Sequence, residues 1–208
     1  MGKVFDKLCE RAAPGVDLRA VLETVVELAV EIAREGREGR KIGTLFVVGD
    51  CAEVLDRSRP LILDPLYGHA EDLLQLDRPE FRETVKELAQ LDGAFVVRGD
   101  GTFVSAGRYI DVDLGVTDGF VSGLGTRHAA AASITVATDA VAVVVSQSSV
   151  VRVYAHGRVK AEIIPELFLM TRGRLFADRA EVEQVPEAGI TVALADAEEA
   201  RASAAAAG

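Results

Sequence analysis

The sequence of 208 residues contains 33 acidic and 23 basic residues, which gives a formal net charge of −10 at pH 7. This excess of negative charge argues against a protein that binds nucleic acid through charge alone. Cys9 and Cys51 stand far apart and form no CxxC pair, so neither a zinc site nor a redox pair is expected. The first residues are charged rather than signal-like, and the longest strongly apolar run is short, which predicts a cytoplasmic protein without a membrane span.

The charge is distributed unevenly along the chain. Residues 177–208 hold seven acidic and two basic residues, half of the net charge, and end in an alanine run. Residues 146–176 hold five basic and two acidic residues, so this segment is locally positive. The overall charge therefore does not exclude a basic site for an anionic ligand.

The first predicted elements are a helix and a buried strand. Apolar residues recur at three- and four-residue steps from Leu18 to Ile32, which is typical of an amphipathic helix. Asp17 is the predicted N-cap of this helix, and Gly36 is its predicted stop. The mostly apolar run over residues 44–48 predicts a buried strand, after which a loop rich in proline and glycine follows.

A second helix and a hairpin are expected next. Asp77 and Glu80 have the spacing of a capping box, which predicts a helix that ends before Leu91. Two apolar runs, 93–97 and 102–106, flank an Arg-Gly-Asp-Gly sequence, and this turn signal predicts a hairpin.

The second half is predicted to contain an alanine-rich helix and three strands. The helix follows Gly125, and the strands cover residues 140–146, 150–155 and 159–164. Helices and strands intermix without a regular βαβ order. The expected fold is therefore α/β of the α+β type, with a mixed central β-sheet flanked by helices.

The sequence Asp92-Gly93-Ala94 is the first candidate functional site. A carboxylate there precedes a strand, and the glycine after it allows the backbone to approach a ligand closely. The alternative is a helix C-cap with an aspartate in the turn.

The sequence Gly125-Thr126-Arg127-His128, at the start of the alanine-rich helix, is the second candidate site. Free N–H groups at a helix N-terminus, beside a hydroxyl, a guanidinium and an imidazole, are suited to a phosphate. The alternative is a capped helix with a surface arginine and a packed histidine. Walker A and dinucleotide fingerprints are absent. Ser146, at the end of a strand, is a candidate for a polar contact.

Taken together, these motifs resemble those of the diadenylate cyclase domain family. This family is also called the DAC, or DisA N-terminal, domain family. The Asp-Gly-Ala element, the hairpin that runs to residues 106–110 and the Gly-Thr-Arg-His element follow one another in the family's order. The similarity covers about residues 20–165 and looks most like archaeal members. It implies a nucleotide-binding domain over residues 18–167, an N-terminal extension (1–17) and a C-terminal extension with an acidic, alanine-rich tail (168–208).

The resemblance also implies an activity. A nucleotidyltransferase of this family condenses two ATP molecules into the second messenger cyclic di-AMP and two pyrophosphates. Two subunits must meet face to face, so the implied partners are ATP and another copy of the chain, in a dimer or higher homo-oligomer. The charge and the short apolar runs predict neither nucleic acid nor a membrane as a partner. The implied cofactor is a divalent metal, Mn²⁺ or Mg²⁺.

The same resemblance assigns roles to individual residues. It implies that Asp92, Arg127 and His128 are catalytic, and that Asp92 binds the metal and assists the attacking hydroxyl. The implied nucleotide-binding residues are Gly93, Ala94, Gly107, Ile110, Thr126, Arg127, His128 and Ser146.

The chain departs from the family pattern after the histidine. The family usually has Arg-His-Arg, and Ala129 takes the second arginine position here. Loss of a charge-assisted contact, worth about 1.5–3 kcal/mol, would slow turnover or weaken ATP binding. Leu91 and Gln147 also stand where some members have histidine and glutamate. The alternative function is therefore a module that binds ATP or cyclic di-AMP with weak or no catalysis, and a third is an interaction protein that uses its N-terminal helix and acidic tail.

Overall fold

The structure is a computed structural model of the chain. It describes residues 9–10, 18–112 and 125–165, and the backbone of residues 181–185 and 190–194. The predicted Asp17 cap and most of both predicted extensions lie outside the described residues.

Helices and strands intermix along the chain, as predicted. The helices that pack on the sheet are α1 (Arg19–Glu35), α2 (Cys51–Asp56), α3 (Pro79–Leu88) and α4 (Thr126–Ala137), and a 3₁₀ turn covers Glu71–Leu73. The strands are β1 (Thr44–Val48), β2 (Ser58–Pro60), β3 (Ala94–Val97), β4 (Phe103–Ile110), β5 (Val141–Val145), β6 (Val151–Ala155), β7 (Arg158–Ile164), β8 (Glu181–Val185) and β9 (Ile190–Leu194). Within the described ranges, every helix is too short or too polar to cross a membrane.

The strands form one mixed sheet in the order β2-β4-β3-β1-β5-β6-β7-β9-β8. β1 pairs in parallel with β3, and the other neighbouring pairs are antiparallel. β9 pairs with β7 and β8 pairs with β9, so the sheet continues past residue 167. A mixed sheet flanked by helices confirms the predicted fold class.

The central strands bury both of their faces. On one face, Phe46 and Val143 pack with apolar residues of α1 and α3. On the other face, Leu45 and Val144 pack with apolar residues of α2 and α4. Side chains alternate across a strand, so a fully buried and mostly apolar run such as β1 requires cover on both sides. The domain therefore has three layers, with helices above and below the sheet.

Small residues allow α4 to lie close to the sheet. Ala131 and Ala132 are buried in the same cluster as Ile134, against the central strands. The helix begins after Gly125, whose φ of 77° lies in the left-handed region that glycine adopts without strain. The first turn of α4 consequently lies beside the start of β1 and the end of β5.

The predicted end of α1 is confirmed, whereas the predicted start of α3 is wrong. Gly36 follows the last residue of α1, and its N–H donates to the carbonyl of Ile32. α3 begins at Pro79 with Arg78 as N-cap, and no side chain caps it. Because proline occupies the first helical position, Glu80 falls at the second, one residue too early for a capping box.

Candidate active site

Two cavities share the first residues of α4. The larger has a volume of about 640 Å³ and lies between that helix and the Asp92 turn, and the smaller, of about 320 Å³, lies between the helix and the end of β5. Thr126 and Arg127 line both cavities. The predicted residues in the larger cavity are Asp92, Gly93, Ala94, Ile110, Thr126 and Arg127. Those in the smaller cavity are Thr126, Arg127, His128 and Ser146.

Asp92 lies in the turn between α3 and β3, as predicted. Its side chain is 92% exposed, and Oδ1 lies 3.4 Å from Nη2 of Arg127. An exposed ion pair of this length contributes little to stability. The carboxylate is therefore accessible to a ligand, and the guanidinium beside it can exchange the carboxylate for another anion.

Gly93 and Gly107 bring β3 and β4 unusually close behind Asp92. Gly93 has a φ of 99°, and a Cβ there would lie 2.6 Å from the carbonyl carbon of Gly107. Gly107 has a φ of 68°, and a Cβ there would lie 2.5 Å from the carbonyl oxygen of Leu63. Gly107 does not line the larger cavity, so its contribution to the described site is the backbone packing that supports the Asp92 turn.

The larger cavity also has an apolar wall with an exposed aromatic ring. Leu45, Leu61 and Ile110 line it together with Tyr109, which is 46% exposed. The guanidinium carbon of Arg59 lies 4.3 Å from the centre of the Tyr109 ring, a cation–π contact that helps to orient it. An apolar wall with an oriented tyrosine is suited to a planar, aromatic ligand group.

The smaller cavity is polar and cationic. Arg127 and Arg152 both line it, and its described lining contains no carboxylate. Ser146 lies at its edge, where Oγ is 2.7 Å from Oγ of Ser148 and accepts a hydrogen bond from the Val150 N–H. Within the described residues, Nε of Arg127 is buried without a hydrogen-bond partner. This arrangement is suited to an anion with several oxygen atoms.

His128 is buried and uncharged at neutral pH. Its Nδ1 lies 2.9 Å from the hydroxyl of Tyr154. Burial, together with the positive charge of Arg152, lowers the pKa of His128 to about 4. Burial also raises the pKa of Tyr154 to about 12, so the phenol keeps its proton. His128 can therefore act toward a ligand as a neutral hydrogen-bonding group, while the positive charge of the cavity comes from the two guanidinium groups.

The buried imidazole of His128 makes the stability of the fold depend on pH. The unfolded chain takes up a proton near the ordinary pKa of 6.5, whereas the folded chain does so only near pH 4. The free energy of unfolding should therefore fall as the pH drops from 6.5 to 4, by about 3 kcal/mol at most, and this contribution should be fully present above pH 6.5. Urea unfolding of the wild type and of His128→Gln at pH 7, 5.5 and 4.5 measures it. The two chains would show the same pH dependence if His128 were not the source.

Sequence reasoning missed Arg152, Tyr154 and Tyr109 as site residues. The first two lie at alternate positions of β6, where Val151 and Val153 face the other side of the sheet. This alternation was the available signal, because it puts the polar residues of the strand on one face. It could not reveal that the start of α4 covers the same face.

The sequence that contains these residues matches a known family. Residues 31–159 match the family described as DisA bacterial checkpoint controller nucleotide-binding, or DAC. A match over more than half of the chain shows that the chain belongs to the DAC family.

Two curated archaeal relatives carry the name diadenylate cyclase. One from Methanocaldococcus jannaschii is 44% identical over 148 residues, which cover 71% of this chain and 46% of that protein. One from Haloferax volcanii is 38% identical over 159 residues, which cover 76% of this chain and 56% of that protein. The chain thus spans about half the length of the curated relatives it matches.

Two similar solved structures have low sequence identity. A double mutant of DacA from Staphylococcus aureus is 20% identical with a TM-score of 0.42, and the match covers 69% of this chain and 86% of that one. A protein from Bacillus cereus, described as a hypothetical membrane spanning protein, is 21% identical with a TM-score of 0.47, and the match covers 68% and 66% of the two chains.

Proposed function

We propose that the chain is a diadenylate cyclase, which condenses two ATP molecules into cyclic di-AMP and two pyrophosphates. The observation that carries this proposal is the position of Arg127, which lines both cavities and lies 3.4 Å from the accessible carboxylate of Asp92. Membership of the DAC family and the names of the two archaeal relatives support the same activity.

The two cavities differ in a way that fits the two ends of a nucleotide. The larger one offers Tyr109 and an apolar wall to the adenine. The smaller one offers two guanidinium groups and a serine hydroxyl to the phosphates. The nucleotide would then cross the first turn of α4, where Thr126 and Arg127 meet the α-phosphate, and its reactive phosphorus would lie near Asp92.

The reaction needs two such sites. The 3′-hydroxyl of one ATP attacks the α-phosphorus of the other, and the bond from that phosphorus to the oxygen that bridges to the β-phosphate breaks. Pyrophosphate leaves with the bonding electrons, and Asp92 accepts the hydroxyl proton. The same step with the roles exchanged closes the ring. The described residues of one chain form one such site, so we propose that two chains face each other through the surface around Asp92 and Tyr109.

Asp92 fits a metal ion that is shared with the nucleotide rather than one held by protein alone. Among the described residues, no group of three or more His, Cys, Asp or Glu side chains could hold a metal ion. Mg²⁺ commonly uses one or two carboxylates together with substrate phosphates, and Asp92 is an exposed carboxylate beside the proposed phosphate path. When bound, Mg²⁺ or Mn²⁺ would neutralise charge on the α-phosphate and lower the pKa of the attacking hydroxyl.

A second candidate function is nucleotide binding without turnover. Ala129, at the position of the family's second arginine, lines the larger cavity and gives it no charge. A protein of this kind would bind ATP or cyclic di-AMP, and it would form no product at any protein concentration.

Incubation of the purified chain with ATP and Mn²⁺ or Mg²⁺ tests the proposal. We expect cyclic di-AMP and pyrophosphate in a ratio of one to two, and a specific activity that rises with protein concentration over the range in which the chain associates. Nucleotide binding by calorimetry without product would favour the second candidate. Product formation with a specific activity independent of concentration would contradict the face-to-face arrangement.

A further inference from the structure

Arg152 lines the smaller cavity from the sheet and faces the first turn of α4. The side chains of Val151 and Val153 belong to the cluster on the opposite face, under α1. Arg152 and Tyr154 therefore project toward α4, where Tyr154 contacts His128. Arg152 lines this cavity together with Arg127 and Ser146, although the three lie on different elements.

Glu162 holds the guanidinium of Arg152 in place. The two residues are directly opposed on β6 and β7, and Nε of Arg152 donates to Oε1 of Glu162. The arginine side chain is 15% exposed and the glutamate side chain 32%. Because the contact uses Nε, the fork of terminal nitrogens of Arg152 is left to other acceptors. A guanidinium fixed in this way loses little conformational entropy when it binds a phosphate.

We propose that Arg152 binds the terminal phosphates of the nucleotide and makes the site select a triphosphate over a monophosphate. This inference rests on the proposed function. The adenine and ribose would occupy the larger cavity, and Arg127, which lines both cavities, would contact the middle of the molecule. Arg152 lines only the smaller cavity, so a nucleotide with a single phosphate would not reach it.

The charges of the site support this role. Ala129 contributes none, and His128 is neutral because it is buried beside Arg152. Among the described residues that line the smaller cavity, the formal positive charges are those of Arg127 and Arg152. A triphosphate carries most of its charge on its terminal groups, and pyrophosphate gains further charge as it leaves. A fixed cation at this place would stabilise both the bound substrate and the leaving group.

The test measures binding apart from turnover. Calorimetry with 3′-deoxy-ATP, which lacks the attacking hydroxyl, and with AMP compares the wild type with Arg152→Met. We expect the Kd for 3′-deoxy-ATP to rise at least tenfold, as for the loss of a charge-assisted contact, and the Kd for AMP to change less than twofold. Arg158→Met is the matched control, because Arg158 is exposed on β7 and does not line the cavity.

Loss of Arg152 alone leaves the partly buried Glu162 without its partner and is expected to destabilise the domain. The double variant Arg152→Met/Glu162→Met removes both charges and should show the same selective loss for 3′-deoxy-ATP, with AMP binding as the measure of an intact fold. The proposal is overturned if the double variant binds 3′-deoxy-ATP as the wild type does, or if AMP binding falls by the same factor. A wild type that binds 3′-deoxy-ATP through Arg152 and yet forms no cyclic di-AMP would contradict the proposed function and leave this inference standing.

Discussion

Asp92→Asn is expected to reduce the formation of cyclic di-AMP by at least a factor of about 100, the scale of losing a general base together with a metal ligand. The amide keeps the size of the side chain but can neither accept the hydroxyl proton nor bind a divalent cation well. The folded state should be unaffected, because the carboxylate is 92% exposed and its contact with Arg127 is long. Initial rates at saturating ATP and Mn²⁺, with thermal unfolding of both proteins, measure the two effects.

Binding of 3′-deoxy-ATP in the presence of a chelator separates chemistry from affinity in this variant. It should be unchanged or tighter, since a negative charge near the phosphates has been removed. Asp72→Asn is the matched control, because Asp72 is also exposed and lines neither cavity. A turnover of Asp92→Asn within tenfold of the wild type would show that Asp92 is neither the base nor the metal ligand.

Gly93→Ala is expected to lower the free energy of unfolding by about 3 kcal/mol or more and to reduce activity. An alanine at a φ of 99° is strained, and its Cβ would lie 2.6 Å from backbone atoms of Gly107, which cannot move without shifting β4. Asp92 directly precedes this residue, so any relief of the clash displaces the carboxylate that we propose to be catalytic. Denaturant unfolding and the turnover rate at saturating ATP measure the two effects.

Gly101→Ala is the control that separates the effect of the steric clash at Gly93 from the effect of backbone strain. Gly101 has a φ of 90°, and a Cβ there would meet Leu76 at an ordinary distance of 3.5 Å. This control should cost only the strain, about 1–2 kcal/mol, and leave the turnover rate unchanged. If the two variants were equally stable and equally active, the close approach of β3 and β4 would not be what supports the Asp92 turn.

The sequence predicted the elements whose side chains repeat with a clear period. β1 was predicted with its observed bounds, because its residues, four of the five apolar, are buried on both faces. α2 was not predicted, since it is six residues long and shows no apolar period, and it begins after Asp50, a non-glycine residue with a φ of 42°. Short elements of this kind form because the surrounding fold holds them, which a local pattern does not reveal.

The candidate site was predicted only in part, for a similar reason. The Asp92 and Arg127 motifs could be recognised as a resemblance to a family, although they are far apart in the sequence. Arg152 and Tyr154 belong to no recognisable motif. They join the site only because β6 packs against α4 in the folded chain, and the sequence does not show this packing. The charge state of His128 also depends on burial, and no spacing in the sequence encodes the depth at which a side chain lies.

The alanines of α4 have a consequence for the dimensions of the site. The distance between a helix and the surface it packs on depends on the size of the side chains between them. Ala131 and Ala132 are small and buried, so the axis of α4 lies close to β5 and β6. We therefore expect the same two residues to determine how far Thr126 and Arg127 stand from Arg152. The gap between the first turn of α4 and Arg152 would receive the phosphates. Its width would then depend on two alanines about one helical turn away, whose methyl side chains cannot themselves bind a phosphate.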